Sequence, residues 1–275
     1  MQLRFLFTTF SAGCSLAGLL FFVPAAHATE PADSNKAKLT ISTGIDYSSG
    51  DYGQALDTQI TYVPVTAKLK YDGWTGKLTV PYISITGPGV VVGGSEGSTV
   101  GTAGAKRTES GLGDVIASLG YSAPIASKDT LGNITGKIKF PTADESRNLG
   151  TGEFDYTLQA GLTQNINDFY LSGTVGRKFN GSSTQFPLND VWKYSVGAGY
   201  TLTPQTVVGA DYDFRQSATA AGDNISEATA FVSHNFNRTW TGQLYTTAGF
   251  TNASPNWGIG LQVGYMLDPF DPRLE

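Results

Sequence analysis

The sequence predicts an all-β protein, a transmembrane antiparallel up-and-down β-barrel of about twelve strands, and three observations carry that prediction. Apolar and polar residues alternate with period two almost everywhere after Pro31, the signature of half-buried strands. The links between these runs are short and long in turn. Aromatic residues gather at both ends of one face of the runs, leaving its middle to Val, Leu, Ile, Ala and Gly.

Composition agrees with this reading. The chain has 275 residues, 34 of them Gly, well above a background of about 7%. Charged residues make up 15% and the formal net charge is −5. Such low charge density argues against disorder, a coiled coil or a basic nucleic-acid binder. A single Cys excludes a disulfide scaffold and a cysteine-based zinc site.

The first segment reads as a cleaved signal peptide, residues 1–28. Arg4 supplies the positive start, Phe5 to Val23 is uncharged and mostly apolar, and Ala26-His27-Ala28 is a small-residue cleavage site. An uncleaved membrane helix is the alternative; Pro24 and the small-residue exit oppose it. Lipoprotein processing at Cys14 is opposed by the apolar run that continues beyond it and by Ser11. Residues 29–36 then form a short periplasmic segment, 37–267 the barrel and 268–275 a periplasmic tail. No later stretch reaches the roughly 18 apolar residues of a membrane helix. In lipid only a closed barrel leaves no unpaired sheet edge.

Taken in order, the first run sets Leu39, Ile41, Thr43, Ile45 and Tyr47 against Lys38, Thr40, Ser42 and Asp46. The second sets Val63, Val65, Ala67, Leu69 and Tyr71 against Tyr62, Thr66, Lys68 and Lys70. It ends at Asp72-Gly73, a strong tight-hairpin signal. The third carries Trp74, Leu78, Val80 and Tyr82, and the fourth Val115, Ala117, Leu119 and Tyr121. Runs through Ile134–Phe140, Phe154–Leu162 and Phe169–Val175 follow. The eighth is the most regular, Trp192, Tyr194, Val196, Ala198, Tyr200 and Leu202 against Lys193, Ser195, Gly197, Gly199 and Thr201. Val208–Phe214, Ala228–Phe236, Trp240–Phe250 and Trp257–Tyr265 complete the set.

Short links fall at Asp72-Gly73, 124–129, 165–168, 203–205 and 237–239, while longer ones fall at 48–56, 87–110, 141–150, 180–189 and 217–223. The link at 252–256 is a short exception. Outer-membrane barrels sort their links in this way. With the N-terminus in the periplasm, one aromatic girdle comprises Tyr71, Trp74, Tyr121, Phe169, Tyr200, Phe236, Trp240 and Tyr265. The other comprises Tyr47, Tyr82, Phe140, Phe154, Trp192, Phe214, Phe250 and Trp257. Aromatic rings favour the two headgroup interfaces.

The opposite face places Lys, Asp, Gln, Ser, Thr and Gly inside. Its charged members, Lys68, Lys70, Lys77, Asp114, Lys137, Lys139, Asp155, Lys193, Asp211 and Asp213, are the candidate pore-lining residues. They read either as a selectivity ladder for a polar or anionic solute or as ion pairs that fill the interior. Asp211 and Asp213, two apart on one face, could serve as acid and base; an internal ion-pair network is the simpler reading. His234 points to the lipid side near the rim. A lipid-acting enzyme would need a hydroxyl nucleophile beside it, yet Ser233 points the other way and no Gly-x-Ser-x-Gly pattern occurs. The long segment 87–110, glycine-rich with Val90-Val91-Val92 as its apolar cluster, could enter the lumen or stay at the surface as a mobile loop. No metal-ligand cluster, cofactor loop or nucleic-acid surface is present in the sequence, and Asn133-Ile134-Thr135 is a chance sequon in a bacterial cell.

Two segments resemble a known family: Gly111-Leu112-Gly113-Asp114-Val115 with Leu119-Gly120-Tyr121, and Lys139-Phe140-Pro141-Thr142 with Leu149-Gly150-Thr151-Gly152 and Asp155-Tyr156. They are similar to the bacterial outer-membrane transporter-like family associated with the meta-pathway of phenol degradation. The resemblance implies a barrel for uptake of small, often aromatic or hydrophobic compounds, and assigns no catalytic residue. Many such barrels end on an aromatic residue. This chain continues past Leu267, leaving Tyr265 or Phe270 for recognition by the barrel-assembly machinery.

The expected function is therefore a channel for passive uptake of small molecules through the Gram-negative outer membrane, without enzyme activity, metal or cofactor. Its expected partners are outer-membrane lipids, a small-molecule solute and the assembly machinery. The alternatives are a structural or adhesive barrel with a filled lumen, and a lipid-acting enzyme.

Overall fold

The structure, a computed structural model, describes residues 37–89, 91–92, 98–99, 104–220 and 222–267. The expected signal peptide, the segment 29–36 and the tail 268–275 lie outside the described residues. Fifteen strands occur among those described. β1 (Lys38–Gly50), β2 (Thr58–Tyr71) and β3 (Trp74–Gly87) lead to a two-residue ladder of β4 (Val91–Val92) and β5 (Ser98–Thr99). β6 (Arg107–Leu112), β7 (Val115–Ser127), β8 (Thr130–Phe140), β9 (Asp155–Ile166) and β10 (Phe169–Phe179) follow. β11 (Val191–Thr203), β12 (Thr206–Arg215), β13 (Ile225–Asn235), β14 (Trp240–Gly249) and β15 (Trp257–Leu267) complete the chain.

Every neighbour in the sheet is antiparallel, and β1 pairs with both β2 and β15, so the sheet closes on itself. β6 and β7 share one position in the wall, both pairing with β3. The result is a closed barrel of 12 wall positions. The break between them falls at Gly113, whose backbone N–H donates to the carbonyl of Pro81 (2.9 Å). The expected 87–110 loop is thus too long at its C-terminal end: residues 107–112 extend the wall.

Turn chemistry fixes the short-link end. Asp72 and Gly73 both adopt positive φ (45° and 78°), the mirror-image turn whose twist suits a two-residue hairpin. The same end holds the turns at 128–129, 167–168 and 204–205, and both ends of the described chain. The opposite end carries the longer connections, including 141–154 and 180–190.

Alternation then separates two faces. Outside, residues such as Val65, Leu158, Val196 and Leu261 are exposed among the described residues. Aromatic residues flank this band in cross-strand contacts. At the turn end Trp74 meets Tyr121 (5.0 Å between centroids), Phe169 meets Tyr200 (4.6 Å) and Trp240 meets Tyr265 (4.9 Å). At the loop end Tyr47 meets Trp257 (5.5 Å) and Phe140 meets Phe154 (5.8 Å). Each such pair also ties neighbouring strands together.

The inner face is less uniform than its sequence suggests. Beside the expected Ser, Thr, Asn, Gln and charged groups it buries two apolar clusters. Near the loop end Ile60, Tyr62, Ile83 and Ile85 receive Tyr52, Ala143 and Leu149 from two connections. Deeper, Tyr170, Val207, Phe231 and Tyr245 pack together.

Candidate functional site

The candidate site is the lumen, and strand register sets its chemistry. One row of directly paired inward residues runs Thr40, Lys68, Lys77, Ser118, Lys137, Thr157, Lys178. The next row runs Lys38, Lys70, Thr75, Gly120, Thr135, Gln159, Gly176, Lys193, Arg215. Because the strands tilt, both rows climb from the turn end at β1 to the loop end at β10 and β12. Lys68, Lys70 and Lys77 lie half-buried in the turn half of the barrel, and Lys137 lies half-buried further up, nearer the loop end of β8.

In the loop half the charges meet one another. Lys139 Nζ donates to Asp114 Oδ2 (2.9 Å) and lies 3.2 Å from Asp155 Oδ2. Lys178 Nζ reaches the same Asp155 oxygen at 3.1 Å. All four side chains are buried. Lys139 also donates to Thr151 Oγ1 (3.1 Å), and Ala143 N–H donates to Asp114 Oδ1 (3.0 Å). This network draws connection 141–154 inward and seats Leu149, whose Cδ1 leaves no room for a Cβ at Gly111. The segment that enters the barrel mouth is therefore 141–154. Outside the membrane-spanning strands, the Ser146 hydroxyl and N–H hold the Asp144 carboxyl below its ordinary range. Burial pushes the Tyr52 phenol up.

Lys193 and Asp213 sit near Arg215 and Glu227: Lys193 pairs in register with Arg215, and Asp213 with Glu227. Asp211 lies over Gly197, filling the space that a Cβ there would need, and pairs in register with Thr229. Asp211 and Asp213 thus face different neighbours. Lys178 and Glu227 belong to these groups although the sequence reading passed over them. Glu227 belongs to the polar phase of its strand and could have been found there.

The inner rings were also missed, and here a signal exists. Tyr170 faces Gly199 in register, Phe231 faces Gly209 and Tyr245 faces Gly260. A Cβ at any of those glycines would meet the facing ring. An aromatic residue on the polar phase, opposite a glycine on the next strand, marks a ring lying flat along the wall. Tyr245 also donates its phenol proton to Asp46 Oδ2 (2.5 Å).

His234 is on the outer face. Its Nδ1 lies 2.9 Å from Thr206 Oγ1 and its ring meets Phe236 edge-on, while Ser233 is buried inside. Among the described residues no group of His, Cys, Asp and Glu is arranged to hold a metal.

This geometry defines an outer-membrane-type β-barrel. Among solved structures the chain is similar to an outer-membrane channel from Pseudomonas putida F1, with TM-score 0.70 and 13% identity over 87% of this chain and 100% of that one. It is also similar to the NanC porin (TM-score 0.54, 10% identity, 83% and 100% covered) and the KdgM porin (0.53, 8%, 82% and 98%). No family model and no curated protein sequence matches it. At these identities the likeness establishes the shared fold.

Proposed function

We propose that the protein is a channel for passive uptake of small molecules, including aromatic or hydrophobic compounds, through the outer membrane, with both termini in the periplasm. One observation carries this reading over a barrel with a filled interior. The inward side chains of Lys68, Lys77, Lys137 and Asp211 are half-buried rather than buried, so solvent reaches charged groups inside the barrel. In a dry, filled interior such charges would be costly, whereas a hydrated lumen accommodates them. The apolar outer band between two girdles supplies the membrane setting, and the folds of a solved channel and two porins are compatible with it. The resemblance to the phenol-pathway family is the support for aromatic cargo. In this reading Lys68, Lys70, Lys77, Lys137, Asp211 and their neighbours line the path.

The test is reconstitution. Purified protein should support liposome swelling with small solutes and discrete single-channel currents; folded protein that passes no solute and no ion overturns the proposal. The filled-barrel reading draws on the inward packing of connection 141–154 and predicts that null result. Lipid hydrolysis that vanishes in His234→Ala would favour an enzyme instead.

A further inference from the structure

The half-buried lysines occupy one side of the lumen, and the register shows what faces them. Lys68, Lys77 and Lys137 share one row, joined through Ser118. In the closed order of 12 positions β12 stands six from β3, whichever way the wall is followed. Followed through β8 and β10, the row of Lys77 passes Thr157, Lys178 and Val191 and reaches β12 just beyond Arg215. Followed through β2 and β1, it passes Thr40 and Met266 and comes to the turn end, where β12 begins at Thr206. With one tilt shared by all strands, a row climbs as far in one sense as it falls in the other. The level of Lys77 on β12 therefore lies midway between Thr206 and Arg215, at Ala210 and Asp211. Ala210 is on the exposed outer face, and Asp211 points inward.

Asp211 is placed where a solute would meet it. Its carboxylate fills the space over Gly197 on the inner wall, beside Ser172, and the residue is half-buried. The neighbouring carboxylates Asp213 and Glu227 are buried, and Asp46 is buried as the acceptor of the Tyr245 phenol. Among the described residues no ion pair engages Asp211, Lys68 or Lys137. Thr66, Ser118 and Ser172 on the same inner face are half-buried as well, so solvent reaches the space between the two walls. One wall is positive and the facing wall carries a negative charge, so the field runs across the path rather than along it. A monovalent ion gains at one wall and loses at the other. A solute with both charges aligns its own dipole with the field and gains at each.

We infer that the mid-lumen takes small zwitterionic solutes of the amino-acid type: the carboxylate turns toward the wall of Lys68 and Lys137, and the ammonium group toward Asp211. This rests on the channel reading above and names a solute class for it.

The experiment is liposome swelling with the full mature protein at neutral pH, using β-alanine and its uncharged isomer lactamide as probes. Neither probe has a net charge, so the ratio of their rates separates the effect of charge separation from that of pore width. β-Alanine should enter severalfold faster than lactamide. Asp211→Asn and Lys68→Gln/Lys137→Gln each remove one wall, and either should bring the ratio toward unity while lactamide entry changes little. Lys128→Gln, in an exposed turn, should leave the ratio at the parent value. Each variant is confirmed as folded by its heat-modifiable gel mobility. Equal entry of the two probes through the parent, or a ratio that Asp211→Asn leaves intact, overturns the inference and leaves the channel reading standing. Folded protein that admits neither probe removes both.

Discussion

The two halves of the lumen use the same residue types for different ends. In the loop half, Lys139 and Lys178 are buried against Asp114 and Asp155, and this network holds connection 141–154 at the barrel mouth through Ala143 and Thr151. Lys68, Lys70 and Lys77 in the turn half, and Lys137 midway along β8, are instead half-buried on the inner face, within reach of solvent. A charge that is buried and paired serves architecture, because removing its partner strands it in low dielectric. A charge that borders a hydrated space contributes little to stability and acts on what passes.

Asp155 offers the largest break in that contrast. Asp155→Asn removes the carboxylate shared by Lys139 and Lys178, and also alters the acceptor of the Gly181 N–H (3.0 Å). Two buried ammonium groups then lose a counterion, a loss of about 3–5 kcal/mol. Urea unfolding in lipid vesicles measures it. Lys137→Gln in the same assay should stay within about 0.5 kcal/mol of the parent. Equal losses at the two sites would mean that Lys137 is architectural too.

Leu149→Ala comes next. Leu149 is only 1% exposed, among Ile60, Tyr62, Ile83 and Ile85, so truncation should cost about 2–5 kcal/mol. It should also loosen connection 141–154 at the mouth, raising single-channel conductance while leaving ion preference unchanged. A shift in preference would place the selecting residues in the loop half.

Legibility in the sequence follows the same physical division. The outer face must satisfy one uniform solvent, so it repeats a single rule, and Trp192 to Leu202 on β11 shows that rule residue by residue. The inner face answers to local partners brought together by register, which a single strand does not encode. Thus Lys139 and Asp155 could be assigned to the interior from alternation, yet the bridging of Asp114 and Asp155 by Lys139 emerges only when β7, β8 and β9 are aligned. Likewise Tyr245 follows the polar phase of β14, and only the glycine at 260 on the neighbouring strand explains how its ring fits. The link at 141–150 carries no sequence signal of its inward turn, because its apolar contribution inward consists of just Ala143 and Leu149.

That glycine gives a third, smaller test, aimed at the wall opposite the lysines. A Cβ at position 260 would fall on the ring of Tyr245, which its bond to Asp46 holds in place. Gly260→Ala should force the ring off the wall at a cost of about 1–3 kcal/mol, measured as a lower urea midpoint in lipid vesicles. Gly76→Ala is the control, because nothing lies within 4 Å of its Cβ position. If both variants behave alike, the ring yields to the added methyl and is no fixed part of the inner packing.

The smallest effect lies in the loop half, at the rim. Asp144 caps the short turn Glu145–Arg147, accepting from the N–H (3.0 Å) and hydroxyl (2.6 Å) of Ser146, and these bonds favour its charged form. A carboxyl depressed on folding stabilises the turn above its ordinary titration range, and that contribution is lost as pH falls through the lower, folded value. The side chain is fully exposed, so the effect is confined to the turn, and the barrel should keep its unfolding midpoint. Carboxyl-carbon NMR of Asp144 in micelles should show a midpoint below the ordinary aspartate range. Ser146→Ala should move it upward, since the hydroxyl bond is the largest of its causes. If acid instead released Leu149 from Ile60 and Ile83, the turn and the buried Lys139 network would be one cooperative unit, and the rim would belong to the architecture it merely covers here.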